Sequence, residues 1–472
     1  MKHSGRIAGG MAVAVMAASP QARAQAQPMS DLEAAALRSE VATLRERLEM
    51  LEKRLAEPPA AASAGAAATP AAPPPSGAPA VAPPAPRVEW RGSPRFVDGD
   101  KAFKAKGRIQ ADANYVSHPG GLNDRGLGFS SEFRRIRLGG EGKLGAGFGY
   151  KLELELSDNS VDLVDTFVTY ENGRWLLTLG NQNPLWGLDE LTGDTSGSFM
   201  ERAAFTDAFA FERRLGLSAQ YERGAFLAQA GVFTDDVDAL SNDSDGPEGG
   251  DENNSFSLDG RLVYAPKVGP EDSQTQLHFG ASAHWRRLKR ISDAPVRYRQ
   301  RPFIHSTNTR LIGTPELDVR EESSHGFEFA AIRGPWHMAA EGHWFRAARI
   351  GAPAVRFRGG YAEVGYFLTP GDTRSYDNGI FGAAKPKNPL GKNGGIGAVQ
   401  VNLRYDYLDL NSRDVRGGTQ NGYFAALIWS PIQYLRFNLN YGYLDYTGAR
   451  ALPDGRRDYG THVLGSRFEL DF

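Results

Sequence analysis

Tyr150-Lys151-Leu152-Glu153-Leu154-Glu155-Leu156 sets an apolar side chain at every second position and a charged one between each pair. A period of two is that of a β-strand, whose successive side chains leave on opposite faces. One face of this strand is wholly apolar and the other wholly charged. A soluble sheet with one face on a core would read the same way. What decides the fold is how often the pattern recurs, and in what rhythm.

It recurs along most of the chain. Ile109, Ala111, Ala113 and Tyr115 alternate with Arg108, Gln110, Asp112 and Asn114. Trp175, Leu177 and Leu179 form another apolar face, as do Leu277, Phe279, Ala281, Ala283 and Trp285, and Ala362, Val364, Tyr366 and Leu368. The last residues set Leu464, Ser466, Phe468, Leu470 and Phe472 against Val463, Gly465, Arg467, Glu469 and Asp471. Sixteen strands are predicted, near 104–116, 132–142, 149–157, 161–170, 174–181, 213–221, 225–233, 255–265, 274–286, 324–333, 335–346, 356–368, 396–408, 420–430, 433–445 and 461–472. An even number of strands near ten residues, with Tyr115, Tyr170, Tyr221, Tyr264 and Tyr443 toward their ends, fits an outer-membrane barrel with aromatic girdles. Short connections such as Gly142–Gly147, Glu171–Gly173 and Glu222–Gly224 suit periplasmic turns. Long ones at 234–254, 287–323, 369–395 and 446–460 suit outer loops. The predicted fold class is therefore all-β, a transmembrane antiparallel β-barrel of about sixteen strands over 104–472. A soluble sandwich or propeller is the competing architecture, and the export signal described next weighs against it.

The chain has 472 residues and a net charge of −2, which does not mark a nucleic-acid binder. With no cysteine, disulfides, thiolate metal sites and cysteine nucleophiles are excluded. Lys2 and Arg6, an apolar run from Ile7 to Ala18 and the small-x-small Ala22-Arg23-Ala24 read as a signal peptide over 1–24. No stretch supplies the roughly eighteen apolar residues of a transmembrane helix. Over 31–57, Ala34, Val41, Leu48 and Leu55 alternate with Leu37, Leu44 and Leu51 as the a and d positions of a heptad seam. Glu40 with Arg45, and Arg47 with Glu52, are placed to pair between parallel chains, so a periplasmic coiled coil is predicted. Residues 58–86 form an Ala/Pro-rich linker, a semi-rigid spacer reaching about 90 Å if fully extended.

One segment does not alternate. From Gln182 to Arg213 the chain runs through Pro184-Leu185-Trp186-Gly187, a polar stretch from Thr192 to Ser198, then Phe199-Met200-Glu201-Arg202. A structureless connection of about thirty residues is long enough to be functional, and we read it as folding into the barrel (about 182–213) and narrowing it. Cationic residues gather around it. With Ile136 and Leu138 toward lipid, Arg135 and Arg137 face the lumen, as does Arg108, while the alternation leaves the direction of Arg134 open. Arg202, Arg213 and Arg214 join them from the segment and the strand that follows. Guanidinium groups stay charged and offer a fork of donors to anionic oxygens, so a narrow lumen lined with them favours anions. Pairing with carboxylates such as Asp112, Asp165 or Glu201 is the competing role. The loop from Arg286 to Arg301 carries seven Lys/Arg residues and one acid, Asp293, as a funnel for anions or a contact for lipopolysaccharide phosphates. The acidic loop from Asp235 to Glu252 lacks the spacing of an EF-type site. His284, His337 and His343 have no serine or acid at a motif-like spacing, so no enzyme, cofactor or metal site is predicted.

These residues resemble one family, the phosphate- and polyphosphate-selective porins O and P of Gram-negative outer membranes. The resemblance rests on Gly107-Arg108-Ile109-Gln110-Ala111-Asp112, Phe133-Arg134-Arg135, Gly187-Leu188-Asp189-Glu190-Leu191-Thr192 with Glu201-Arg202, Arg213-Arg214-Leu215-Gly216, Gly365-Tyr366-Phe367-Leu368-Thr369 and Leu403-Arg404-Tyr405-Asp406. It implies a trimeric sixteen-stranded channel whose third loop folds inward. It carries anion-lining roles onto Arg108, Arg134, Arg135 and Arg202, and a lumen carboxylate role onto Asp165. It also implies that the end at Phe472 is read by the barrel-assembly machinery. Glu190 stands where the phosphate-specific members carry a lysine and Arg137 where they carry a tyrosine, and the lysine-rich loop is reduced to Lys385 and Lys387 near Asp377. The charge reversal at Glu190 opposes the phosphate dianion. The expected function is a passive outer-membrane porin for small anions, with phosphate or polyphosphate as candidate solutes. The expected partners are a homotrimer, outer-membrane lipid and lipopolysaccharide, the assembly machinery and peptidoglycan. The alternative function is a tether from outer membrane to peptidoglycan with a non-selective pore.

Overall fold

The computed structural model describes residues 86–209, 213–234, 237, 255–288, 296–391 and 394–472. The signal peptide, the coiled coil, the linker up to residue 85, the acidic loop (save residue 237) and part of the basic loop lie outside the described residues. Among the described residues sixteen antiparallel strands form the barrel: β1 Lys101–Val116, β2 Gly128–Gly145, β3 Phe148–Glu155, β4 Asp162–Asn172, β5 Trp175–Gln182, β6 Arg214–Arg223, β7 Phe226–Phe233, β8 Phe256–Tyr264, β9 Thr275–Arg287, β10 Val319–Arg333, β11 Trp336–Arg349, β12 Val355–Phe367, β13 Ala398–Ser412, β14 Val415–Ile432, β15 Leu435–Thr447 and β16 Tyr459–Asp471. Each pairs with its sequence neighbour. β16 returns to β1, from Val463 opposite Val116 to Asp471 opposite Arg108, and closes the sheet. A small hairpin, Arg87–Trp90 with Pro94–Asp98, extends the first residues of β1.

The two faces of the wall are inverted relative to a soluble protein. Leu152 is 44% exposed and its neighbour Glu153 only 5%. Leu179, Leu403 and Leu427 point outward and are exposed, whereas Gln110, Asn402, Asp406 and Arg467 are buried on the inner face. Burying charged groups is costly unless they are paired, so an interior of this kind must be dense in ion pairs. It is: Arg467 pairs with Asp112 at 2.7 Å and Arg261 with Glu328 at 2.6 Å, all four side chains fully buried. Outside, the apolar residues face hydrocarbon, where the closed ladder leaves no backbone edge unpaired. At the end carrying both barrel termini, aromatic pairs such as Phe148 with Tyr170, Trp175 with Tyr221 and Phe226 with Tyr264 form a row, each 4.6–4.8 Å between ring centroids. There too Phe472 closes the wall, its N–H donating to the Gly107 carbonyl and its carbonyl accepting from the Gly107 N–H. The Phe472 ring occupies the space that a Cβ on residue 107 would need.

Tight turns at this end use glycine where the backbone turns left-handed, with φ of 62° at both Gly173 and Gly224. One expectation is corrected here. The length of the connection at 369–395 points to an outer loop, and the structure places it at the other end. β12 runs toward the terminal end and β13 runs away from it, so 368–397 lies with the short turns. Length alone was a poor guide, because the position of a connection follows from the parity of the strands before it.

Candidate channel constriction

The stretch after β5 leaves the wall and crosses the interior. It contains two short helices, α1 Leu188–Leu191 and α2 Ala204–Phe209. A chain turning away from its sheet must find new partners for its backbone N–H groups, and the inner faces of distant strands supply them. Glu341 of β11 accepts from Leu188 N (2.9 Å) and Asp189 N (2.6 Å), Asp406 of β13 accepts from Ala204 N (2.8 Å), and Asn440 of β15 accepts from Met200 N (3.3 Å). Ser198 donates to Glu363 of β12. Trp186, 1% exposed, lies over His343 with ring centroids 4.1 Å apart and donates Nε1–H to Ser324.

Two other connections meet this segment. From the terminal end, Arg374 donates to Ser198 Oγ and to the Ser196 carbonyl while stacking on Phe381, 4.1 Å from the ring centre. From the opposite end, Tyr298 packs against Phe209 and Phe345, and Arg301 N donates to Asp207. The described part of the basic loop, from residue 296 on, therefore packs onto α2.

The arginines singled out from the sequence lie as follows. β2 carries a bulge: Gln110 faces Arg135 and Ala111 faces Phe133, so Arg134 is the extra residue. A bulge re-aims a side chain, and both Arg134 and Arg135 reach inward while Phe133 stays 58% exposed outside. Arg134 pairs with Glu201 (3.3 Å), Arg137 with Glu155 (2.7 Å), Arg202 with Glu190 (3.4 Å) and Arg213 with Asp165 (2.5 Å). Lys151 also reaches Asp165. Arg108 and Arg135 share Asp194, at 2.5 and 2.8 Å, and Arg108 also approaches Asp471 at 3.3 Å. Arg214 is buried at the start of β6.

A cavity of about 490 Å³ runs between β2, the crossing segment and β13. Of the nine predicted residues, Arg134, Arg135, Arg137, Glu190, Arg202 and Arg213 border it, whereas Arg108, Asp165 and Arg214 do not. Arg301 and Arg404 add two guanidiniums, and ten carboxylates complete the charged lining: Glu132, Glu155, Asp158, Asp162, Asp189, Glu190, Asp194, Glu201, Asp207 and Asp406. The sequence reading missed Asp194 and Arg404. Asp194 belongs to a polar turn with no period to mark it. Arg404 sits on an inner face where alternation does point, and it pairs with Glu363 at 2.8 Å and lies over Phe199. Burial by itself would raise the pKa of Asp194, but Arg108, Arg135, Arg137 and Arg202 outweigh it and hold the carboxyl well below the usual range. Glu201 is likewise raised by burial and lowered further by Arg134, Arg467 and Arg135. Both therefore remain ionised at neutral pH.

The family described as phosphate-selective porin O and P matches residues 103–472. A protein of Caulobacter vibrioides, described as uncharacterized, is 59% identical over 484 residues, covering 98% of this chain and 95% of its own. Among solved structures, the anion-selective porin from Comamonas acidovorans is similar with a TM-score of 0.50 at 12% identity, covering 79% of this chain and all of that one. The outer membrane channel DcaP of Acinetobacter baumannii is similar with a TM-score of 0.45 at 14% identity, covering 79% of this chain and 97% of that one.

Proposed function

The chain belongs to the phosphate-selective porin O and P family, and from that premise we propose that this outer-membrane channel passes small anionic solutes by passive diffusion. Charge is read in the cavity between β2 and the crossing segment. The observation that carries this reading is the unequal exposure of two ion pairs. The Arg202 side chain is 33% exposed and its partner Glu190 7%; Arg213 is 28% exposed and Asp165 15%. In these pairs the guanidinium is the more exposed partner and the carboxylate is tucked behind it. Arg202 also donates from Nε and Nη2 to the carbonyls of Asp189 and Glu190 (3.2 and 2.7 Å), so it acts on a passing anion through its charge rather than through a free fork. Singly charged anions are favoured over the phosphate dianion, because ten carboxylates outnumber the seven guanidiniums of the same lining and repulsion grows with solute charge. Preference for anions in this reading rests on the more exposed guanidiniums and not on the net charge of the lining. The working unit in this reading is a homotrimer.

Reversal potentials across planar bilayers in a salt gradient test it. An arginine within contact distance gives an anion about 1–4 kcal/mol between bulk-water and protein-surface dielectrics. Arg135→Ala with Arg202→Ala should therefore move preference toward cations, with a modest rise in conductance. Glu190→Lys should move it toward anions and strengthen block of chloride current by phosphate. Shifts of the same sign, or none, would count against the assignment.

A further inference from the structure

The outer surface of the barrel carries charge in one place that the pore does not use. On β11 and β12, Phe345 and Phe357 are buried inside, so the residues beside them face outward. Those residues are Arg346, Arg356 and Arg358, all exposed. Arg346 is directly opposite Arg356 in the ladder. Cross-strand neighbours lie about 5 Å apart at Cβ, and like charges there are destabilising. Among the described residues neither has a carboxylate within ion-pair distance. Arg358 has only Asp409, at 3.4 Å. Arg320, also exposed, adds a fourth guanidinium from the start of β10.

The position narrows the partner. β11 ends here, so the cluster lies at the barrel end opposite both termini. Immediately below it Trp344, 46% exposed, is opposite Arg358, and it stacks on His325. A cationic band one step beyond a lipid-facing aromatic matches the level where hydrocarbon meets charged headgroups. The band is local: at the corresponding level β14 and β15 present Asn421 and Asp445. A two-fold contact of this face with itself in a second copy would set arginine against arginine.

We propose that this face of β10–β12 is a binding site for the anionic head of an outer-leaflet glycolipid, lipopolysaccharide, whose phosphate or carboxylate groups bridge Arg346 and Arg356. The cross-strand repulsion then becomes a clamp, and the acyl chains lie along the apolar wall below Trp344. The site does not depend on what the pore conducts.

The test compares full-length channels purified from outer membranes in mild detergent, with the lipopolysaccharide retained per barrel measured by native mass spectrometry. Arg346→Gln with Arg356→Gln should lose about fivefold per arginine, as expected for one cationic contact at a membrane surface. Single-channel conductance should match the wild type, since both side chains point away from the lumen. Arg125→Gln with Arg456→Gln, which removes two exposed loop arginines elsewhere, should retain the lipid. Undiminished retention in the first pair, or equal loss in both pairs, would overturn the assignment. So would displacement of the lipid by inorganic phosphate alone, which would mean a free-anion site. If the double variant fails to insert, Arg346→Gln and Arg356→Gln taken singly carry the same comparison.

Discussion

Replacing Asp194 with asparagine changes one charge and almost no volume at the point where the crossing segment touches β1 and β2. The carboxylate lies 2.5 Å from Arg108 and 2.8 Å from Arg135, and it accepts from Thr195 N. Because the arginines keep it ionised, Asp194→Asn adds one full unit of positive charge to the lining. At about 4–8 Å from a permeating ion in a water-filled lumen, a unit charge is worth about 0.5–1 kcal/mol. Barriers for anion and cation move in opposite directions by that amount. The anion-to-cation permeability ratio should then rise about five- to thirtyfold, more at low salt, where screening is weak. The assay is the reversal potential of single channels at two ionic strengths, with conductance recorded alongside. Conductance should stay near the wild-type value, because the asparagine fills the same space. No shift, or a shift toward cations, would refute the reasoning. A large rise in conductance without a change in preference would mean that Asp194 holds the segment down rather than shaping the field.

Three further outcomes are expected. The folded pKa values of Asp194 and Glu201 are depressed, so their stabilisation of the docked segment is present above the ordinary carboxylate pKa of about 4 and lost only below it; conductance should hold from pH 7 to about 4, and a step increase near pH 5 would contradict this. Deleting Phe472 removes the two backbone bonds to Gly107 and the ring above it, and should lower the amount recovered in outer-membrane fractions; unchanged recovery would show that the seam closes without it. Removing residues 31–57 should weaken a detergent-stable trimer while leaving the barrel intact, which light scattering and heat-modified gel mobility would read.

Legibility from sequence followed the range of the interactions involved. A β-barrel wall is written locally: every second residue meets lipid, so Leu152, Leu154 and their like reveal both the strand and its direction. The count of sixteen and the inward aim of Arg135 and Arg137 came from that period alone. Arg134 could not be oriented, because a bulge adds one residue and flips the period at the very site of interest. The partners of the crossing segment were illegible for another reason. Glu341, Asp406 and Asn440 lie 150 or more residues from the groups they bind, and nothing near Leu188 or Met200 announces them. The connection at 368–397 was misplaced although the information was present, since twelve strands precede it. Its length spoke for one side of the barrel and its parity for the other, and parity is the physical constraint.

The contact of Arg374 with Ser196 and Ser198 joins two connections that enter the lumen from opposite ends. Neither can complete the narrow zone before the other arrives, and the second is made only after β12. The narrow zone therefore needs both connections in place, and a barrel in which either had not docked would be wider there. Because the chain contains no cysteine, a pair introduced as Ser196→Cys and Arg374→Cys would have no competitor for a bifunctional thiol reagent long enough to replace the reach of the arginine. The time at which that bridge first forms during assembly would date the moment at which the hole becomes a filter.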